Sequence, residues 1–167
     1  MARQQANLRL PDPWTIGWYG IRGMSWADFN HSLQLRILFQ PPPKMIFINL
    51  GGNDMTACSM LRIFNWIHQG LDTLAAAYPD SYLVWCDILQ RLHWGDTPEQ
   101  NIVMESKRRR VNRFGRQQVR LHVKGEILIH DIDYQTPGFF RADGIHLSDV
   151  GLDMYLDAVR DKILSIM

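Results

Sequence analysis

The chain has 167 residues, 46% hydrophobic and 21% charged, ordinary values for one globular domain able to bury a core. A formal net charge of +1 gives no global field that would favour nucleic acid, a membrane surface or an acidic partner. The start, MARQQANLRLPDP, lacks the apolar core of a signal peptide, and no apolar run is long enough to span a bilayer, so a cytoplasmic protein is expected.

Residues 1–13 are polar and end in Pro-Asp-Pro, which reads as a lead-in segment, loop or frayed tail. Residues 14–19 (WTIGWY) are aromatic and β-branched, the composition of a strand, and are followed by Gly20 and Gly23. Trp26, Phe29, Leu33 and Ile37 then recur at three- and four-residue steps, the apolar stripe of a helix, which the triple proline at 41–43 stops. Residues 45–50 (MIFINL) read as a buried strand, and Gly51-Gly52-Asn53-Asp54 follows at its end. Leu61, Phe64, Ile67, Leu71 and Leu74 give a second amphipathic helix, after which residues 82–88 (YLVWCDI) form a third strand. The two cysteines, Cys58 and Cys86, form no CxxC pair or zinc spacing, as expected of a reduced chain.

Thr97 and Pro98 open a third helix as N-cap and first helical residue. It carries Lys107, Arg108, Arg109, Arg110, Arg113, Arg116 and Arg120, read as a solvated face rather than a nucleic-acid surface, and is expected to run to Gly125. Residues 126–130 (EILIH) make a fourth strand. A long loop, residues 131–147, then leads to a helix capped by Ser148 whose Leu152, Tyr155, Leu156, Val159 and Ile163 face inward. Strand and helix alternate throughout, which predicts an α/β protein with a mostly parallel sheet in a three-layer sandwich.

In such a sheet the loops after the strands share one edge, where ligands bind. That edge would gather Gly20 and Gly23, the Gly51-Gly52-Asn53-Asp54 loop, residues 87–93, and Asp143-Gly144-Ile145-His146. A carboxylate three residues before a histidine can accept one imidazole N–H and leave the other nitrogen as a base. Asp54 is read as a helix cap, His93 and Trp94 as possible pocket walls, and His31, His68 and His122 as surface residues.

The combination resembles the SGNH (GDSL-type) hydrolases, a family of esterases and lipases with a flavodoxin-like three-layer α/β/α fold. Gly51-Gly52-Asn53-Asp54 matches the family's GxND block, Asp143 and His146 its DxxH block, and Gly23 in GIRGMSW its glycine block. The resemblance covers residues 14–167. It implies catalytic roles for His146 as general base and Asp143 as its orienter. Gly23 N–H and the Asn53 amide become oxyanion-hole donors, a small ester or acyl compound becomes the ligand, and no cofactor or metal is implied. The wording around the blocks also resembles SGNH-like domains of vertebrate genomes related to retrotransposon proteins.

One block is missing. The family's nucleophilic serine follows its first strand, upstream of the glycine block, and this chain has no serine before Gly23. Ser25 begins a helix and Ser59 follows the GGND loop, so no nucleophile is identified. In the family's strand order, 2-1-3-4-5, the missing first strand would lie between residues 14–19 and 45–50. Either these two pair directly, or the domain over 14–167 is incomplete at its N-terminus; a truncated copy is the expectation. Two functional readings result. One is an esterase-like domain with impaired catalysis. The other is a non-catalytic acyl-binding or interaction module. A metal-dependent phosphatase using His130, Asp131, Asp133, Asp143 and His146 is disfavoured, because the bridging ligands of a two-metal site are absent from the earlier strand ends. Oligomeric state is left open.

Overall fold

The computed structural model describes residues 7–37 and 41–167; residues 1–6 of the lead-in segment, and the inward side chain expected of Ile37, lie outside it. Among the described residues eight regular elements follow in order: α1 (Trp26–Ile37), β1 (Met45–Ile48), α2 (Asp54–Ala57), α3 (Met60–Ala77), β2 (Tyr82–Cys86), α4 (Pro98–Val119), β3 (Gly125–Leu128) and α5 (Asp149–Ile166). Among the described residues the three strands form one parallel sheet in the order β1-β2-β3, with Phe47 opposite Val84 and Trp85 opposite Ile127.

Period-two alternation along the strands separates two cores. On one face, Ile48, Leu83 and Trp85 pack with Trp26, Ile63, Ile67, Leu71, Leu74, Val111 and Val119 from α1, α3 and α4. On the other, Val84, Cys86 and Leu128 pack with Tyr155, Val159 and Ile163 of α5 and with Leu8 and Leu10. This is the expected three-layer α/β/α arrangement.

Residues 14–19 depart from expectation, since they form no strand. Trp14 and Ile16 cover the α5-side core as irregular chain, while Trp18 and Tyr19 are 52% and 42% exposed. Their strand-like composition is a preference for half-buried surface, and it produces a strand only where a neighbouring edge supplies a ladder. Leu8 and Leu10, 7% and 8% exposed, show that the described part of the lead-in is packed rather than frayed.

The other strands are shorter than expected, with residues 49–50, 87–88 and 129–130 in loops. The third helix stops at Val119 instead of Gly125, which is the first residue of β3. A Cβ on Gly125 would lie 1.7 Å from the Val119 carbonyl oxygen, so only glycine fits this turn. Two residues expected to face inward do not: Leu61 is 71% exposed and Leu152 37%. The buried stripes are Ile63, Ile67, Gly70, Leu71 and Leu74 on α3, and Gly151, Tyr155, Val159 and Ile163 on α5.

The caps expected at Thr97 and Ser148 form. Thr97 accepts from Gln100 N at 3.2 Å while the Gln100 side chain accepts from Thr97 N, a complete capping box. Ser148 accepts from Gly151 N at 3.1 Å. Among the described residues no helix is long and apolar enough to cross a membrane.

Candidate functional site

The DxxH segment is held by its own backbone. Phe140 and Leu147 form an antiparallel bridge, Arg141 N donates to His146 O at 2.8 Å, and Gly144 N donates to Arg141 O at 2.9 Å. Gly144 has φ +64°, and a Cβ there would come within 2.4 Å of the His93 ring. A glycine is therefore needed both for the left-handed turn and for the close approach of the 89–93 loop. Leu92 N donates to Gly144 O at 2.8 Å, which ties that loop to the turn.

Within the turn, Asp143 Oδ1 accepts the main-chain N–H groups of Ile145 and His146 at 2.8 and 2.9 Å. Asp143 Oδ2 lies 2.8 Å from His146 Nδ1. The main-chain N–H of His146, the imidazole and the N–H of Ile145, in that order, hold the Asp143 carboxyl well below the usual carboxylate range. An ionised acceptor beside Nδ1 fixes the proton on Nδ1 and makes Nε2 the basic nitrogen. The His146 side chain is 71% exposed, so the edge is open to ligand.

The GGND loop lies at the end of β1, on the same sheet edge. Asn53 Nδ2 donates to the main-chain oxygen of Met24 at 3.1 Å, joining this loop to the turn that contains Gly23. Gly23 has φ +74°, and among the described residues no hydrogen bond engages its N–H. The two residues matched to oxyanion donors thus belong to loops that touch.

Asp54, expected to cap the following helix, serves the preceding one. It is completely buried, and both carboxylate oxygens accept Trp26 N, at 3.3 and 3.2 Å, at the first turn of α1. Burial raises its carboxyl pKa and outweighs the stabilising N–H of Trp26. The long helix beyond the short α2, α3, is capped by Ser59, which accepts Arg62 N at 3.4 Å.

The basic run on α4 is only in part a solvated face. Lys107 Nζ donates to the carbonyls of Met55 and Cys58, closing the carboxyl end of α2. Arg108 donates to Ile88 O at 2.6 Å and pairs with Glu105, and Arg116 forks onto Asp87 at 3.0 and 2.6 Å. These three residues bind α4 to the strand-end loops.

One residue not singled out in the sequence is Arg91. Its guanidinium lies 4.6 Å from the centre of the Trp94 ring, and a Cβ on Gly52 would approach its Nη2 to 2.8 Å. Burial lowers its pKa, while the Asp143 charge acts in the opposite sense. Arg91 thus stands between the GGND loop and the DxxH turn. Trp94 is buried beneath it at 7% exposure, and His93 packs on Gly144, so both border the site.

No serine hydroxyl bonds to His146 among the described residues. Ser25 Oγ donates to Asp28 at 2.6 Å, Ser81 to Pro43 O, Ser148 to Gly138 O and Ser165 to Lys162 O. No three His, Cys, Asp or Glu side chains among the described residues gather as a metal site. His130 instead stacks on Tyr155, with ring centroids 4.3 Å apart.

Comparison with solved structures places this architecture. The chain superposes on a Streptococcus pneumoniae protein, provisionally described as a platelet activating factor, with TM-score 0.75 and 19% identity over 90% of this chain and 73% of that one. It also superposes on a GDSL-like lipase from Bacteroides thetaiotaomicron, with TM-score 0.69 and 17% identity over 89% and 75% of the two chains. The fold is that of a GDSL-like lipase. No protein-family model matches the sequence, and no curated protein does. At this identity the GDSL-like likeness is one of architecture.

Proposed function

We propose that this chain is an SGNH hydrolase-type, esterase-like domain whose cleft accepts a small ester or acyl compound and whose catalysis is impaired for want of a nucleophile. The observation that carries the reading is the 2.8 Å contact between Asp143 Oδ2 and His146 Nδ1, on the same sheet edge as the Asn53–Met24 tether.

With a serine opposite His146, the hydroxyl oxygen would attack the ester carbonyl carbon while Nε2 took its proton. Asp143 would hold the imidazolium, and Gly23 N–H with the Asn53 amide would take the charge developing on the carbonyl oxygen, a contribution of about 3–4 kcal/mol per donor in comparable sites. The same imidazolium would then protonate the departing alcohol. This chain supplies every named group except the hydroxyl.

A second reading follows from the engaged serines: a module that binds acyl groups without cleaving them. Hydrolysis of p-nitrophenyl acetate tests the first reading, and binding of a small ester tests the second. The impaired-enzyme reading expects a rate at or close to the uncatalysed one, unchanged in His146→Ala. Robust turnover abolished by that substitution would overturn it. Saturable binding of a small ester without turnover supports the module, and absence of binding by any acyl compound removes it.

A further inference from the structure

Beside the DxxH turn, between the loop at 90–94 and the exposed side of α4, runs a cleft of about 560 Å³. Four arginines line it, Arg91, Arg109, Arg110 and Arg113, against a single carboxylate, Glu105. That carboxylate is already committed: Arg108 binds both its oxygens at 2.7 Å, and Arg109 adds a contact at 2.9 Å. Arg110 and Arg113 are exposed and form no ion pair among the described residues. In a chain of net charge +1, Arg110 and Arg113 are a local positive excess with no ion-pair partner among the described residues.

Excess guanidinium in a concave site is the arrangement that recognises phosphate and similar oxyanions, because the planar fork offers paired N–H donors. A solvated helix face would scatter such charges outward, whereas here Arg91 approaches from a different element. Arg91 is half-buried, held against Trp94, and directed between the cleft and the GGND loop. Tyr134, from the long loop that precedes the DxxH turn, borders the same cleft.

We infer that this cleft is a binding site for a compact phosphate-type anion, seated among Arg91, Arg110 and Arg113. Anion binding itself does not depend on ester chemistry. Its meaning for substrate does rest on the proposed function: an anion held here lies next to the His146 turn, so the matching ligand is an acyl or ester compound bearing a phosphate group. Such a group occurs on soluble phosphorylated metabolites and on lipid headgroups, and the chemistry recognised is the same.

Calorimetric titration of the full chain with inorganic pyrophosphate tests the site. Saturable binding is expected, weakened by added salt and weakened roughly ten-fold or more in Arg110→Gln/Arg113→Gln, the loss of charge-assisted contacts. Those two side chains are exposed, so the double variant retains the fold, which its thermal unfolding verifies. Arg91→Gln is expected to weaken binding similarly, and Arg120→Gln, exposed at the end of α4 and outside the cleft, to leave it unchanged. A parallel titration with a small ester separates this site from the acyl cleft: failure of ester binding with intact pyrophosphate binding sinks only the proposed function. Capture by phosphatidylglycerol vesicles, competed by pyrophosphate, assigns the anion to a headgroup; pyrophosphate binding without vesicle capture assigns it to a soluble compound. Either supports the site. No saturable pyrophosphate binding, or binding indifferent to the double variant, would overturn it. So would single-stranded oligonucleotide binding that far exceeds pyrophosphate binding, since that marks an extended nucleic-acid face.

Discussion

Asn53 and Met24 are joined by a 3.1 Å hydrogen bond in which the side-chain amide donates to the main-chain carbonyl. An asparagine amide has two N–H groups, and this bond uses one. The other has no partner among the described residues, and the tether fixes where it points.

Substitution at Asn53 should therefore act on ligand binding twice, by removing a donor and by releasing the loop. Asn53→Ala is expected to weaken binding of a small ester by about ten-fold, on the order of 1–2 kcal/mol. Asn53→Asp, similar in shape, should be at least as damaging because it offers an acceptor to an acceptor. Calorimetry on both variants checks this, and equal affinity in wild type and Asn53→Ala would remove Asn53 from the site.

The neighbouring Asp54 has a structural task. Its buried carboxylate accepts Trp26 N, and Trp26 itself is fully buried and stacked on Trp85, with centroids 6.1 Å apart. Asp54→Ala should cost about 1–3 kcal/mol, the loss of a cap plus an unpaired buried N–H. Asp54→Asn keeps one acceptor and removes the buried charge, so it should cost less. Urea unfolding measures both, and an unchanged midpoint in Asp54→Ala would contradict the assignment.

His130 sets a pH dependence. Burial against Tyr155 lowers its pKa from 6.5 to about 4, and neither ring nitrogen has a hydrogen-bond partner among the described residues. Because the folded value lies below the unfolded one, the unfolded chain binds more protons between them. Stability contributed by the neutral ring is present above about pH 6.5 and declines toward about pH 4, by on the order of 1–3 kcal/mol. His130→Phe keeps the stacked ring and should flatten this part of the profile, read from thermal unfolding at stepped pH. A profile as steep as wild type would show that other groups set it.

Much of this architecture could be read from local signals. Thr97 with Gln100 and Ser148 with Gly151 act within one helical turn, so the residues that make each cap are adjacent in sequence. The DxxH turn is similarly self-contained, since Asp143 bonds residues two and three positions away. Residues 14–19 read as a strand yet form none, because aromatic and β-branched side chains serve equally well as a strand or as irregular chain over a core. Asp54 carries no local sign of its role, because its partner Trp26 lies 28 residues upstream. Lys107 reaches carbonyls 52 and 49 residues away, so a basic run read as surface conceals an anchor. Arg91 had no signal at all: a lone arginine in a loop acquires a role only when Gly52, Trp94 and Asp143 are folded around it.

The central claim is that a His–Asp pair stands here without a serine to activate. A fluorophosphonate reacts covalently with a hydroxyl activated by such a pair, and intact-mass spectrometry detects the adduct directly. The account predicts no stoichiometric adduct on the wild-type chain after prolonged incubation. One phosphonyl group per chain on a serine, formed in wild type and absent in His146→Ala, would contradict it.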